Sequence, residues 1–217
     1  MRKFHINLKG EVKPCPAQKQ CRLSPLWEHF TTKEEAQIYA DKANELEQEY
    51  IYLTKNEPII TADLQDIMEA NGSRLEGLEY RVKALSGVKE KVLVRKNVNS
   101  INDLYDVVRY TSMFSTEEYK EGYNNVIKDL INKNYQVINI KNTWNNNGYK
   151  GINCQFEDEN GIKFELQFHT PESLEAKAKA HRIYEEQRLI QDVNSLEFIK
   201  MDEDMNKIFN DVPNPFN

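Results

Sequence analysis

The stretch from Asn147 to Thr170 constrains the fold of this 217-residue chain most strongly. Its second half alternates between apolar and polar residues from Phe164 to His169, which is the two-residue period of a half-buried strand. Its first half alternates in the same way, and residues 159–161, Glu-Asn-Gly, suit a three-residue hairpin loop with Gly161 in the left-handed conformation. This loop predicts three facing apolar pairs: Phe156 with Phe164, Cys154 with Leu166, and Ile152 with Phe168.

The opposite face of the predicted hairpin is polar. It could lie in solvent, as one face of an antiparallel sheet often does, or it could line a binding site. Residues 170–172, Thr-Pro-Glu, predict a helix start with a capping hydroxyl and a proline in the first turn. A helix returning over the hairpin would place a stripe of polar side chains toward the same cleft. The polar face carries Tyr149, Asn153, Gln155, Glu165, Gln167 and His169, and the helical stripe carries Lys177, His181, Tyr184 and Arg188.

Composition limits the classes of protein to which this chain can belong. With 39% hydrophobic residues, the chain can bury one core with a small appendage. The net charge of -6 argues against a general nucleic-acid coat, although not against a local basic pocket. No apolar run approaches 18 residues and no signal-peptide core is visible, so we expect no membrane segment. Three cysteines, an odd number, do not indicate a disulfide framework, and we expect a reducing cytoplasm.

The first 30 residues contain two cysteines and two histidines that could bind zinc. Two thiolates and two imidazoles satisfy a tetrahedral site, and so short a segment can hardly build a core unaided. However, zinc fingers favour closer spacing of paired cysteines than is found here. The alternative is a pair of ordinary buried thiols with incidental histidines. The four candidate ligands are His5, Cys15, Cys21 and His29, and a strand is predicted from Lys3 to Leu8.

Helical patterns follow the N-terminal segment. Residues 32–35 form a capping box, and the apolar spacing after them predicts a helix to about Tyr52. We expect Pro58 to interrupt the helical pattern. Thr61 is then expected to cap a second helix that ends at Asn71-Gly72.

The rest of the chain predicts an α+β fold. Residues 74–96 are dense in cations, which indicates either a solvated helix face or a polyphosphate site. A strand then runs from Leu104 to Phe114 and contains Asp106, and a helix and a further strand precede the hairpin. The order strand, helix, strand, hairpin, helix predicts a mixed or antiparallel sheet with helices packed on it.

Taken together, residues 76–188 resemble the synthetase domain of the RelA/SpoT homologue family, whose members move pyrophosphate from ATP to a ribose 3′-hydroxyl. In that family an R-x-K pair and two further basic residues hold ATP, and a strand-borne aspartate binds magnesium. A tyrosine stacks on the acceptor base, an E-x-Q strand carries an essential glutamate, and the next helix carries a histidine and a tyrosine. The resemblance gives Arg81, Lys83, Lys91 and Arg95 as ATP-binding residues, and Asp106 and Glu165 as catalytic and Mg²⁺-binding residues. The candidate acceptor-binding residues are Tyr149, Asn153, Gln167, His169, His181 and Tyr184.

The resemblance also implies a domain organisation. A nucleotidyltransferase-like synthetase domain would cover residues 56–195. A small Cys/His module and a long helix would precede it in residues 1–55, and residues 196–217 would form a C-terminal tail.

Three positions depart from the family pattern. Arg109 stands where a glycine is usual, Asn153 replaces a histidine near the stacking tyrosine, and His169 replaces the arginine of the E-x-Q strand. Without that histidine, guanosine is not the expected acceptor base, and Asn153 with Gln167 opposite it could read another base edge. These departures fit the toxin lineage of the family, some members of which modify the 3′ end of tRNA.

We therefore expect an ATP-dependent pyrophosphotransferase that uses Mg²⁺ and acts on a nucleotide or on the 3′ end of tRNA. Its role would be that of a growth-inhibiting toxin or a stress-signal synthetase, with an antitoxin protein as a candidate partner. The alternative is a non-enzymatic module that kept the fold for nucleotide binding or protein interaction. Retention of both Asp106 and Glu165 favours the enzyme, since a binder has no need for paired metal carboxylates.

Overall fold

The computed structural model describes residues 4–7, 9–15, 29–94 and 98–217. The chain forms two compact units, one of residues 1–56 with 83–104 and one of residues 57–82 with 105–217. The segment 83–104 thus groups with the N-terminal residues, whereas the sequence analysis placed it in the synthetase domain. The domain boundaries predicted from the sequence stay a prediction.

The first unit contains a small antiparallel sheet in the order β2-β1-β3. Its strands are β1 (Phe4–Ile6), β2 (Val12–Pro14) and β3 (His29–Phe30). The strand predicted from Lys3 to Leu8 is confirmed over the range of β1, and Lys3 and Leu8 themselves lie outside the described residues. Short helical segments complete this unit: α2 (Leu85–Lys89), a π-helical turn (Glu90–Val94) and a 3-10 turn (Ile101–Asp103).

Helix α1 runs from Lys33 to Ala70, so the predicted interruption at Pro58 and the predicted helix start at Thr61 are wrong. A proline inside a helix costs about 3 kcal/mol, because one hydrogen bond is lost and the preceding turn is crowded. Burial of the turns that follow offsets this cost, at about 1.5–3 kcal/mol for each large apolar side chain. The buried residues are Ile60, Leu64, Ile67 and Met68.

None of the described helices, α1 included, combines the length and the apolar character that crossing a membrane requires. In α1 this follows from its composition, because charged residues recur along the 38 residues of the helix.

The second unit is built on a five-stranded sheet in the order β4-β5-β8-β7-β6. Strands β5 and β8 are parallel, and the other neighbours are antiparallel. The strands are β4 (Arg74–Glu76), β5 (Arg109–Met113), β6 (Gln136–Asn142), β7 (Ile152–Glu157) and β8 (Lys163–His169). The helices are α3 (Tyr119–Asn132), α4 (Pro171–Gln187) and α5 (Leu196–Asn210). The predicted order of strand, helix, strand, hairpin, helix is confirmed.

The cation-rich segment does not form the helix face that the sequence suggested for its first part. Residues 74–76 form edge strand β4, and a 3-10 turn follows at Leu78–Tyr80. Pairing with β5 takes up the backbone hydrogen-bonding groups here, and the amide of Arg109 donates to the carbonyl of Arg81 at 2.7 Å. An edge strand beside a half-buried sheet is therefore more stable for this segment than a solvated helix.

The hairpin has the register that its apolar pattern predicts. Strand β7 pairs with β8 so that Phe156 faces Phe164, Cys154 faces Leu166 and Ile152 faces Phe168. Gly161 has a φ of +80°, as a three-residue loop with a left-handed glycine requires. The amide of Asp158 donates to the carbonyl of Ile162 at 3.0 Å and closes the loop.

The two faces of this sheet differ in chemistry. The apolar face holds the core of the second unit and contacts α3 and the part of α1 that belongs to this unit, through Tyr123 with Phe168 and Thr61 with Tyr110. Tyr119 of α3 donates from its hydroxyl to the carbonyl of Phe168 at 2.8 Å, and Trp144 donates to the Tyr119 hydroxyl at 2.9 Å. The large side chains of this core include Tyr110, Phe156, Phe164, Leu166 and Phe168.

Candidate functional site

Register places the polar residues of the sheet in rows that cross the central strand β8. In one row Glu165 lies beside Arg109 of β5 and Gln155 of β7. In the next row Gln167 lies beside Thr111 of β5 and Asn153 of β7. The predicted placement of Asn153 opposite Gln167 is therefore confirmed, and the polar face of the hairpin continues onto a strand that lies far from it in sequence.

Glu165 is a half-buried carboxylate on this face. Burial raises its pKa, and the negative charge of Asp106 raises it further. A hydrogen bond from Gln167 and the positive charges of Arg109 and Lys177 act in the opposite direction. On balance, the pKa of Glu165 lies above its ordinary value.

Asp106 lies in a turn before β5, so its predicted position on the strand itself is wrong. The strand begins at Arg109, because the preceding residues form a 3-10 segment and a turn. Asp106 is half-buried, and its charge contributes to the raised pKa of Glu165. The two predicted catalytic carboxylates therefore interact electrostatically within one unit.

Lys177 reaches the polar face from α4. Its Nζ donates a 2.5 Å hydrogen bond to Oε1 of Gln167. Burial, followed by the positive charge of Arg109, lowers the pKa of Lys177 to about 8, and the charge of Glu165 opposes the change. Of the helical stripe named in the sequence analysis, Lys177 is half-buried, whereas His181, Tyr184 and Arg188 are exposed.

A second set of polar contacts joins Tyr149 to the start of α4. The Tyr149 hydroxyl donates to Oδ1 of Asn153 at 2.8 Å and lies 2.9 Å from Nε2 of His169. The other ring nitrogen of His169 lies 2.8 Å from Oγ of Ser173. Ser173 and Thr170 cap α4 reciprocally, which confirms the predicted helix start. Burial lowers the pKa of His169 to about 3, so its ring is neutral at neutral pH.

Gly151 permits this arrangement because it has no side chain. A Cβ atom at this position would lie 3.0 Å from Cε1 of His169 and 3.1 Å from both the Tyr149 hydroxyl and the carbonyl oxygen of Phe168. Such contacts are too close for a methyl group without movement of the neighbours. Gly151, two residues before Asn153, therefore has a steric function beside Tyr149.

Tyr149 precedes β7 and is partly covered by the C-terminal helix. Its ring meets those of His169 and Phe209 edge to face, with centroid distances of 5.4 and 6.1 Å. Phe209 of α5 packs with Ala176 and Ala180 of α4. Sequence reasoning treated residues 196–217 as a tail and missed this helix, although Ser195 before an amphipathic stretch is a helix-start signal.

Arg81, predicted to bind ATP, forms an ion pair with a buried carboxylate in the second unit. Its Nε donates to Oε1 of Glu57 at 2.7 Å, and its Nη1 donates to the carbonyl of Leu78 at 2.9 Å. Glu57 is 2% exposed and also accepts hydrogen bonds from Tyr110 and Thr61. The sequence gave no signal for Glu57, because a lone glutamate before a proline resembles a surface residue.

The other candidate residues occupy varied positions. Lys83 and Lys91 belong to the first unit, and the carbonyl of Lys83 accepts a 3.0 Å hydrogen bond from Tyr50. Arg95 lies outside the described residues, and so does Cys21. The roles of Lys83, Lys91 and Arg95 in ATP binding and of Cys21 in zinc binding stay predictions. The same holds for His181 and Tyr184 in acceptor binding.

Comparison with known proteins bears on the fold of this chain. No protein-family model and no curated protein matches the sequence. A chain in the crystal structure of the complex between the type VI effector Tas1 and its immunity protein superimposes with a TM-score of 0.59 and 19% identity, over 77% of this chain and 95% of that one. Small alarmone synthetase 2 from Bacillus subtilis superimposes with a TM-score of 0.53 and 18% identity, over 74% of this chain and 90% of that one. The chain thus has the α+β fold of the RelA/SpoT-type small alarmone synthetases.

Proposed function

We propose that this protein is an ATP-dependent pyrophosphotransferase. The observation that carries the proposal is the pair of carboxylates on a synthetase fold: Glu165 is half-buried on the central strand, and its pKa is raised by burial and further by the charge of Asp106. Two interacting carboxylates in one site are costly unless a cation or a proton neutralises them. Carboxylates that hold Mg²⁺ at the transferred phosphates are a recurring part of phosphoryl-transfer sites, which favours transfer over binding alone.

The proposed reaction transfers the β- and γ-phosphates of ATP as one unit. The 3′-hydroxyl oxygen of the acceptor attacks the β-phosphorus, a new P–O bond forms, and the bond between the α,β-bridging oxygen and the β-phosphorus breaks. AMP leaves with that oxygen, and the hydroxyl proton passes to a base. Glu165 is our candidate for that base, because burial raises its pKa toward neutrality. A carboxylate that binds the metal is a weaker base, so this role applies to Glu165 only while it is not bound to Mg²⁺.

Mg²⁺ is the metal that fits these residues. Carboxylate oxygens are the donors it prefers, and a bound cation would favour the ionised form of Glu165, which burial and the charge of Asp106 disfavour. When bound by Asp106 and Glu165, Mg²⁺ would neutralise charge on the phosphoryl oxygens. The residues that we propose for binding the triphosphate are Arg81, Lys83, Lys91 and Arg95, as the family pattern indicates.

For the acceptor, we propose an adenosine-bearing molecule, with the 3′ end of tRNA as the first candidate. The Tyr149 ring can stack on any base, which contributes about 1–3 kcal/mol without selecting one. Selection would come from Asn153 and Gln167, which lie opposite each other in the hairpin register. The neutral His169 holds the Tyr149 hydroxyl from the other side, and we include His169, His181 and Tyr184 among the acceptor-binding residues.

The biological role that we propose is growth inhibition or stress signalling. One of the matched structures is a complex of a type VI effector with its immunity protein, and by analogy this protein would have a neutralising protein partner. Because the reaction consumes ATP, the cytoplasm is the expected compartment.

The test is to incubate the protein with Mg²⁺ and ATP labelled in the γ-phosphate, in separate reactions with GDP or GTP, adenosine nucleotides and tRNA. We expect label on tRNA or on an adenosine nucleotide, with AMP released in equal amount. Efficient synthesis of guanosine tetraphosphate with no labelling of the other pools would contradict the acceptor proposal. Release of ADP, or no turnover with any pool, would contradict the reaction itself.

A further inference from the structure

Three side chains that bind metals well meet on one face of the N-terminal sheet. His5 of β1 pairs with His29 of β3 on one side and with Lys13 of β2 on the other. Paired residues share a face of a sheet, and side chains alternate along a strand, so Cys15, two residues after Lys13, returns to the face of His5. Within the described ranges, His5, Cys15 and His29 are the one group of three His, Cys or acidic residues close enough to hold a metal ion.

The distances in this cluster suit a tetrahedral ion. Zinc bonds of 2.0–2.3 Å set the ligand atoms of a tetrahedral site about 3.3–3.8 Å apart. The Cys15 Sγ lies 3.2 Å from Nε2 of His29, and one ligand atom from each of the three residues lies within 4.8 Å of the others. A movement of about 1 Å by the imidazole of His5 would complete the geometry, which is within the range of a side-chain rotation.

This sheet also needs a stabilising element. Its three strands contain three, three and two residues, and among the described residues of these strands the buried ones are Ile6 and His5. His5 is 4% exposed. Sheets this small bury too little apolar area to hold their own geometry, and disulfides or metals commonly supply the missing stability.

We propose that His5, Cys15 and His29 bind one zinc ion that cross-links the three strands of this sheet. One thiolate and two imidazoles are borderline and soft ligands that favour zinc over Mg²⁺ or Ca²⁺. Binding requires loss of the Cys15 thiol proton, so one proton is released for each zinc bound. The fourth position is taken by water or by a further donor. Cys21, the fourth ligand predicted from the sequence, lies outside the described residues, and the proposal does not depend on it.

The metal site is independent of the pyrophosphotransfer reaction, because its ligands are separate residues and its role is structural. The competing explanation is a hydrogen bond between the Cys15 thiol and His29 with no metal. Both explanations account for the 3.2 Å contact, but only zinc binding needs His5 as a third partner.

The experiment measures zinc in the purified full-length protein and examines its ligands by X-ray absorption at the zinc edge. We expect close to one zinc per chain with one Zn–S distance of about 2.3 Å and Zn–N distances of about 2.0–2.1 Å. Cys15→Ser, His29→Gln and His5→Gln should each lose most of the zinc, and hydrogen exchange should increase in residues 1–30 alone. Cys154→Ala, which removes a buried thiol in the hairpin, should keep zinc and serves as the control.

A wild type without zinc, which also fails to take up Zn²⁺ or Co²⁺ under reducing conditions, would overturn the proposal. Zinc content that is the same in wild type and in all three ligand variants would do so as well. If a variant does not fold, the X-ray absorption spectrum of the wild type still tests the proposal. A bound zinc without a sulfur ligand in that spectrum would contradict the assignment of Cys15.

Discussion

Lys177 of α4 donates a 2.5 Å hydrogen bond to Oε1 of Gln167, and the amide nitrogen of Gln167 donates to Oε1 of Glu165. The lysine therefore fixes which way the glutamine amide points. With its oxygen held by Lys177, the amide offers only its nitrogen to the central strand, where it meets a carboxylate. A residue on a helix thus orients the hydrogen bond made to the proposed catalytic glutamate.

Lys177→Met should shift the acid limb of the pH–rate profile to higher pH. The positive charge of Lys177 lowers the pKa of Glu165, so its removal lets that pKa rise. If Glu165 acts in its ionised form, activity then begins at higher pH. Lys179→Met is the matched control, because Lys179 lies on the same helix, is largely exposed and bridges Glu175. Identical acid limbs in the wild type and Lys177→Met would contradict this account.

Arg81→Met should destabilise the fold as well as affect ATP binding. Removing the partner of a buried carboxylate leaves an uncompensated charge, which typically costs 3–5 kcal/mol. The Arg81 side chain is 33% exposed, so we expect about 3 kcal/mol in urea unfolding. The double variant with Glu57→Gln should recover part of this loss. If the unfolding free energy is unchanged while the KM for ATP rises, Arg81 serves the nucleotide and not Glu57.

Tyr149→Leu should raise the KM for the acceptor by roughly 5–150-fold, which corresponds to about 1–3 kcal/mol of lost stacking. The KM for ATP should change little. Tyr149→Phe keeps the ring and removes the hydroxyl that joins Asn153 to His169, so it should retain most of the acceptor binding. Equal losses in both variants would show that the hydroxyl contacts, and not the ring, determine acceptor binding.

His169 should make the protein less stable as the pH falls below about 6.5. Its folded pKa is lowered to about 3 by burial, so between these values the unfolded chain binds a proton that the native state does not. The contribution of His169 to the free energy of unfolding is therefore fully present above pH 6.5. It decreases by about 1.4 kcal/mol for each pH unit below that value. His169→Gln should flatten the dependence, whereas His181→Gln, at an exposed position, should not. The same slope in all three proteins would exclude His169 as the cause.

The hairpin register could be predicted from the sequence because two local constraints agree. Strict alternation fixes which residues share a face, and the loop length fixes which of them are opposite, so Asn153 opposite Gln167 followed without knowledge of the rest of the fold. Pro58 could not be read correctly, because the burial of Leu64 and Ile67 that outweighs its cost is a property of tertiary packing.

The helical stripe shows the limit of periodicity. Spacing of three and four residues places Lys177, His181 and Tyr184 on one side of α4, but it says nothing about which part of the helix lies over the sheet. In the structure the first of them is half-buried and the other two are exposed. Likewise, the ion pair of Arg81 with Glu57 joins residues 24 apart in the chain, and no local pattern connects them.

The most direct test of the central claim compares wild type, Asp106→Asn, Glu165→Gln and the exposed-loop control Glu159→Gln in one assay. The measurement is AMP formed and label transferred from γ-labelled ATP to the acceptor, with circular dichroism and thermal unfolding to verify the fold. In the wild type and in Glu159→Gln, the account predicts that the amount of AMP formed equals the amount of label transferred. In Asp106→Asn and Glu165→Gln it predicts that the rate of transfer falls on the order of 10³-fold while the fold stays intact. Full transfer activity in either of those two variants would contradict it.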